Sequence, residues 1–352
     1  MLASLRRTTL LLIVIGSATA LWAGQVIEPL KAALQLHEAG KLKEALAEYD
    51  KVIKANPKMA EAYFNRGNAH YDVGQNQQAL KDYSEAIRLK PEDAEFYFNR
   101  ASVYRRLKQD LPALNDYAAA IKLSPSDARS FVNRASIHFD AKRYSVALKD
   151  FSEAIRIEPD DAQNYFNRAN TYLALDKKEE AIKDYDAALA RDPKLADAYY
   201  NRGIAHAHLG DSDSAIRDFD EALKLNPKSA DAYYNRGLAK MRSGSVTGAI
   251  EDYSEAARLN PKDPEAPFNR GLAYLKTDKH DLAARDFTQV ISLQPKNADA
   301  YVYRGIIRIY QLKDKDADAD FQKAFQLDPG LKRKLQPIID EAKAKAKARQ
   351  TP

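Results

Sequence analysis

Two side chains that stand next to each other recur along this 352-residue chain, and they offer different chemistry. Arg66, Arg100, Arg134, Arg168, Arg202, Arg236, Arg270 and Arg304 keep one fixed interval, and each has an aspartate at i+16, from Asp82 to Asp320. A planar guanidinium fork matches a carboxylate, so this pairing suits ion pairing. Immediately before the arginines stand Asn65, Asn99, Asn133, Asn167, Asn201, Asn235 and Asn269, and Tyr303 breaks the series in the last unit. An amide both donates and accepts, so a row of them can hold a peptide backbone, at about 1 kcal/mol net per bond. One residue earlier runs a largely aromatic series of Phe64, Phe98, Phe166, Tyr200, Tyr234 and Phe268, with Val132 and Val302 at the remaining positions.

Catalytic and metal chemistry is not legible. The chain has no cysteine, which removes thiol nucleophiles, thiolate metal sites and disulfides. Of six histidines, His70, His138 and His206 share one position of the period with Tyr104, Tyr172 and Tyr274, which fits packing better than ligation. The glycines are isolated, so no phosphate-binding loop is present. The expectation is a non-enzymatic protein with no cofactor and no metal.

The element that sets these spacings is a 34-residue period. Nine prolines keep it without insertion, from Pro57 through Pro91 to Pro329. Within Ala60 to Asp93, apolar and small residues follow helical spacing in two stretches, separated by Gly74-Gln75-Asn76. Pro91 stops the second stretch, because a residue before proline disfavours the α region. Each period is therefore a helix–turn–helix too small to bury a core alone, and stability must come from stacking. Small residues mark the contacts: Ala45 to Ala317 early in the second helix, and Gly67, Ala101, Ala135, Ala169, Gly203, Gly237, Gly271 and Gly305 in the first. Large knobs from Tyr83 to Phe321 stand beside them.

The opening aromatic (Tyr63, Tyr97, Tyr165, Tyr199, Tyr233, Tyr301), the Gly/Ala after Asn-Arg, the second-helix alanine and the final proline resemble the tetratricopeptide repeat (TPR) family. That resemblance implies an all-α, right-handed α-solenoid of nine repeats: 26–59, 60–93, 94–127, 128–161, 162–195, 196–229, 230–263, 264–297 and 298–331. The first repeat, with Pro29 at the aromatic position, reads as an N-terminal cap. A capping helix is expected over 332–342, carrying Leu335, Ile338 and Ile339, and a basic flexible tail over 343–352. The resemblance also implies a concave groove that receives a protein or peptide partner, with the asparagines on its floor.

Competing readings stand beside these. The arginine–aspartate ladder reads as structural more readily than as a groove for acidic ligands. The asparagines line the groove or hydrogen-bond within and between units; the aromatics line it or belong to the core. At the start of the first helix, Glu61, Glu95, Asp197, Asp231, Glu265 and Asp299 are interrupted only by Arg129 and Gln163. Family members that clamp a C-terminal carboxylate carry bases in this region, so an extended apolar or basic segment fits better here. Acids at a helix N-terminus also simply complement the macrodipole.

At the N-terminus, Arg6-Arg7, an apolar run from Leu10 to Ile15 and small residues to Ala23 read as a signal peptide over 1–23, cleaved after Ala20 or Ala23. An uncleaved anchor is the alternative. Export to a bacterial periplasm follows, or inner-membrane attachment facing it. The formal charge is +5; Arg6 and Arg7 supply two, and seven bases against two acids from Lys332 onward supply five, leaving the repeats at −2. The basic ends are no argument for nucleic-acid binding. The expected function is an envelope adaptor that holds an extended partner segment. The alternative is a structural or assembly factor acting through its convex face or its ends, by self-association or by recruiting cell-wall enzymes.

Overall fold

A computed structural model describes the backbone of residues 26–348 and side chains to Lys345. The signal segment expected over 1–23 lies outside the described residues. The chain forms two compact units, Met1–Pro159 and Asp160–Pro352. In the first, eight described helices pair as hairpins: α1 (Glu28–Glu38) with α2 (Leu42–Ala55), α3 (Ala60–Asp72) with α4 (Asn76–Leu89), α5 (Ala94–Arg106) with α6 (Asp110–Leu123), and α7 (Ala128–Asp140) with α8 (Tyr144–Ile157). In the second, α9 (Ala162–Ala174) pairs with α10 (Lys178–Arg191), α11 (Ala196–His208) with α12 (Ser212–Leu225), α13 (Ala230–Arg242) with α14 (Val246–Leu259), α15 (Glu265–Lys276) with α16 (His280–Leu293), and α17 (Ala298–Tyr310) with α18 (Asp314–Leu327). The last helix, α19 (Gly330–Ala348), packs on α17 and α18. Within each unit every hairpin stacks on the next, so each is an all-α solenoid, and no strand occurs among the described residues.

Local chemistry explains the boundaries. The Asp93, Asp127 and Asp161 side chains accept from the backbone N–H of Glu95, Arg129 and Gln163, capping α5, α7 and α9. Ser229 and Asn297 reach one residue further, to Ala232 and Ala300, and cap α13 and α17. At the far end of each first helix the chain turns through a left-handed residue. Glycine fills that position at Gly40, Gly74, Gly210 and Gly244, with φ between 75° and 87°. At the same register Lys108, Lys142, Asp176, Asp278 and Leu312 take φ of 58–62°. The conformation therefore persists in all nine turns, although glycine stands in only four. It persists because it closes the helix: at Gly74 the next N–H, of Gln75, reaches back 2.8 Å to the His70 carbonyl.

The core lies between the helices of each hairpin and runs on into the next, as where Ala198 joins Ala169, Ala181 and Tyr185, and Phe96 joins Ala60 and Ala86. The first-helix glycines sit against the second-helix ring at i+16: a Cβ at Gly237 would come within 2.7 Å of Tyr253, and one at Gly203 within 2.9 Å of Phe219. Close approach of ring to backbone is thus the reason for the small residue there. Ala45, Ala79, Ala113 and their successors to Ala317 are fully buried.

The C-terminal helix departs from expectation in two respects. It continues through the region expected as a flexible tail, to Ala348, because its Ala-Lys sequence is strongly helix-forming. Ion pairs reinforce it, from Lys345 to Glu341 at 2.6 Å and from Lys343 to Asp318. And of the three apolar residues expected to cover the last repeat, Ile339 is buried among Ile309, Ala317 and Phe321, with Leu335 partly so, whereas Ile338 is 56% exposed. Leu335, Ile339 and Ala342, at i, i+4 and i+7, make the covering face.

Candidate functional site

The first helix of each repeat presents two worked faces. On one, all eight arginines grip the aspartate at i+16 with both Nε and Nη2, at 2.6–2.9 Å. These aspartates are buried, from 3% to 7% exposed. The third guanidinium nitrogen reaches the other way. Nη1 of Arg66, Arg202 and Arg236 binds Asp50, Asp186 and Asp220, and that of Arg100, Arg270 and Arg304 binds Ser84, Ser254 and Thr288, each at i−16. One arginine thus ties its own hairpin together and ties it to the hairpin before. Hydrogen bonding to Asp116 holds the Arg100 guanidinium above its usual pKa against the cost of burial. The exception is Arg134: Ala118 stands at its earlier position, and its Nη1 has no partner among the described residues. With the other guanidinium groups engaged internally, this face holds the hairpins together and offers no row of free arginines to an acidic ligand.

The asparagine face is less uniform. The Nδ2 of Asn99, Asn133, Asn235 and Asn269 donates to the carbonyl at i−4, at 2.8–3.0 Å. In the second unit Asn235 and Asn269 also donate to the Tyr200 and Tyr234 hydroxyls of the preceding repeat, at 3.0 and 3.1 Å. Burial pushes both phenols above their usual range, so they remain protonated and accept. Asn201 donates to Asn170 Oδ1 at 2.9 Å, and Asn167 accepts from Gln163 at 3.0 Å. In the first unit Asn133 accepts from Arg105 at 3.0 Å, while Asn65 makes no side-chain hydrogen bond among the described residues. The ladder therefore links neighbouring repeats, yet keeps capacity: the Oδ1 atoms of Asn235 and Asn269 accept from no described residue.

The aromatic series beside it is half-buried. Phe64, Phe98, Phe166, Tyr200, Tyr234 and Phe268 each lean on the second-helix ring at i+19, with centroids 5.6–6.0 Å apart. Their inner edges belong to the core and their outer edges to the face.

A further series, one helical turn on, is not picked out by sequence reading. It runs Asn68, Ser102, Ser136, Asn170, then Ile204, Leu238, Leu272, Ile306. Three of the four polar members answer a tyrosine in the second helix: Tyr83 donates to Asn68 at 2.7 Å and Tyr185 to Asn170 at 2.5 Å, and the Tyr117 and Ser102 hydroxyls lie 3.3 Å apart, whereas Ser136 stands opposite Phe151 and donates to the Val132 carbonyl. Where the ring is Phe219, Phe287 or Phe321 the series is apolar, and it is apolar also at Leu238, opposite Tyr253. The repeated Asn–Tyr interval, i to i+15, was the available signal.

Of the histidines, His138 has a buried Nδ1 without a hydrogen-bond partner, and its pKa is lowered by desolvation and by nearby Arg143. Among the described residues no three histidine, aspartate or glutamate side chains gather as metal ligands. No described helix is long and apolar enough to cross a membrane.

Comparison with known proteins agrees with this geometry. Tetratricopeptide repeat models match residues 113–162, 209–264 and 268–331, as well as 169–233, 151–183 and 94–127, and a TPR repeat model matches 33–74 and 67–108. No curated protein matches the sequence. Among solved structures, the C-terminal part of a TPR repeat-containing protein from Cytophaga hutchinsonii covers 77% of this chain and 97% of its own, with TM-score 0.53 and 15% identity. YrrB, described as a TPR protein with an unusual peptide-binding site, covers 52% of this chain and 95% of its own, with TM-score 0.48 and 23% identity. MamA from Desulfovibrio magneticus RS-1 covers 48% and 96%, with TM-score 0.46 and 24% identity. With matches running nearly unbroken from residue 33 to residue 331, the chain belongs to the tetratricopeptide repeat family.

Proposed function

We propose that the protein is a non-enzymatic adaptor that holds an extended segment of a protein partner against its first-helix faces, and that it works in the bacterial cell envelope. One observation carries the binding reading. Each repeat from Ala60 to Lys276 sets the outer edge of a half-buried apolar side chain beside an asparagine, and in the second unit Asn235 and Asn269 retain free acceptors. The arginine face, by contrast, is engaged internally at every described position but the Nη1 of Arg134. The envelope assignment rests on the Arg6-Arg7, apolar and small-residue pattern of 1–23, with cleavage after Ala20 or Ala23.

Replacing Asn133, Asn167 and Asn201 together by alanine tests the binding reading by crosslinking in intact cells. Loss of the crosslinked species from a folded variant is expected; an unchanged set overturns the reading. The mass of the mature N-terminus checks export. The intact leader in a soluble fraction overturns that part.

A further inference from the structure

We infer that the first-helix face of the Asp160–Pro352 unit accepts one kind of segment, an extended stretch of a partner protein in which apolar side chains alternate with lysine or arginine. This rests on the binding reading above and narrows it. In this unit the apolar edges of Tyr200 and Ile204, Tyr234 and Leu238, and Phe268 and Leu272 lie at i and i+4 of successive first helices, all half-buried. Three residues before each aromatic stands an exposed acid: Asp197, Asp231 and Glu265, and Asp299 follows in the last repeat. None of these four carboxylates makes an ion pair or a side-chain hydrogen bond among the described residues, and Lys194, Lys228, Lys262 and Lys296, three residues earlier, do not reach them.

The same position in the other unit is answered from within. Glu61 pairs with Lys90 at 3.4 Å, and Glu95 is held by Arg129, whose guanidinium also covers the Phe98 ring at 4.7 Å. If these acids served only the helix dipole, an internal base would be as tolerable in one unit as in the other. In the second unit the acids stay open, and between two of them a recess of about 160 Å³ is lined by Asp197, Tyr200, Asn226, Ser229 and Asp231. A recess with two carboxylates and a phenol wall suits an ammonium or guanidinium head. The face carries bases too, Arg242 and Lys276, but about three helical turns further along, roughly 16 Å away. Arg242 there caps the Ala207 carbonyl at 3.1 Å. The cations of the segment therefore register on the acidic rim and its apolar side chains on the Tyr/Ile/Leu edges.

The test uses the full-length protein and three fluorescent peptides: one alternating leucine with lysine, one alternating leucine with glutamate, and one alternating serine with lysine. The photocrosslinker p-benzoylphenylalanine replaces Leu238, or Thr247 on the second helix as a control. The leucine–lysine peptide is expected to bind, to crosslink at 238 and not at 247, and to lose about tenfold in affinity when Asp197→Asn, Asp231→Asn and Glu265→Gln are combined. If that variant does not fold, a titration with sodium chloride on the parent protein reads the same electrostatic contribution. Equal binding of the leucine–glutamate peptide, or no dependence on the carboxylates or on salt, overturns this inference and leaves the binding reading standing. Failure of every peptide to crosslink at 238 overturns both. A crosslink at 238 to a second copy of the chain also overturns it.

Discussion

The two faces of a single helix turn divide this molecule more sharply than any boundary along its length. Arg270 and Asn269 are neighbours in sequence, yet one is locked from both sides and the other is half-engaged. Arg270 binds Asp286 through two nitrogens and Ser254 through the third. Asn269 donates to the Glu265 carbonyl and the Tyr234 hydroxyl, and its oxygen is left over. Both recur once per period, so periodicity alone does not separate scaffolding from recognition. What separates them is whether the fold itself uses up the hydrogen-bonding capacity of the side chain.

That contrast can be broken at its strong end first. Arg270→Leu leaves the Asp286 carboxylate buried without a counterion, and a loss of about 3 kcal/mol is expected in chemical denaturation. A loss below about 1 kcal/mol would show that the ladder is decoration. Second, Ala118→Ser supplies the partner that Arg134 lacks, and a gain of about 0.5–1 kcal/mol is expected by the same measurement. Third, the lowered pKa of His138 means that the unfolded chain binds the proton more readily than the folded one. Stability is then present at neutral pH and falls away as the pH drops below about 6.5. His138→Tyr, the residue at this register in Tyr104 and Tyr172, is expected to flatten that acid limb in melts between about pH 7 and pH 5. Smallest of all, Asn269→Ala trades two modest hydrogen bonds for a better helix former, so a stability change within about 0.5 kcal/mol is expected while partner binding weakens. A large destabilisation there would move the asparagines to the side of the arginines.

Much of the fold is legible because it depends on single residue types in fixed register: the prolines, the small residues and the i to i+16 interval of arginine and aspartate. What escapes are positions where several residue types do one job. The earlier partner of the arginine is Asp50, Ser84, Asp186 or Thr288, which share only an oxygen, so no letter repeats. The left-handed turn is glycine in four repeats and lysine, aspartate or leucine in five, because hydrogen bonds to the helix end hold the conformation whatever the side chain. Of the candidate site, the asparagines, the aromatics and the acidic rim all stand out in the sequence. That the rim is neutralised in one unit and open in the other depends on Lys90 and Arg129, which lie far from their partners in sequence. The change from Asn170 to Ile204 stays hidden because it breaks a period instead of keeping one.

The missing link at Ala118 makes the first unit mechanically uneven. Wherever Nη1 of an arginine reaches back to the preceding hairpin, pulling two hairpins apart must break a charge-assisted bond as well as expose apolar surface. Between α6 and α7 that rivet is absent, and the polar hold is carried instead between α5 and α7, where Arg129 pairs with Glu95 and Arg105 donates to Asn133. Under tension the polar load at this joint moves from the arginine face to the α5–α7 contacts, a shift that a single methyl group at Ala118 creates.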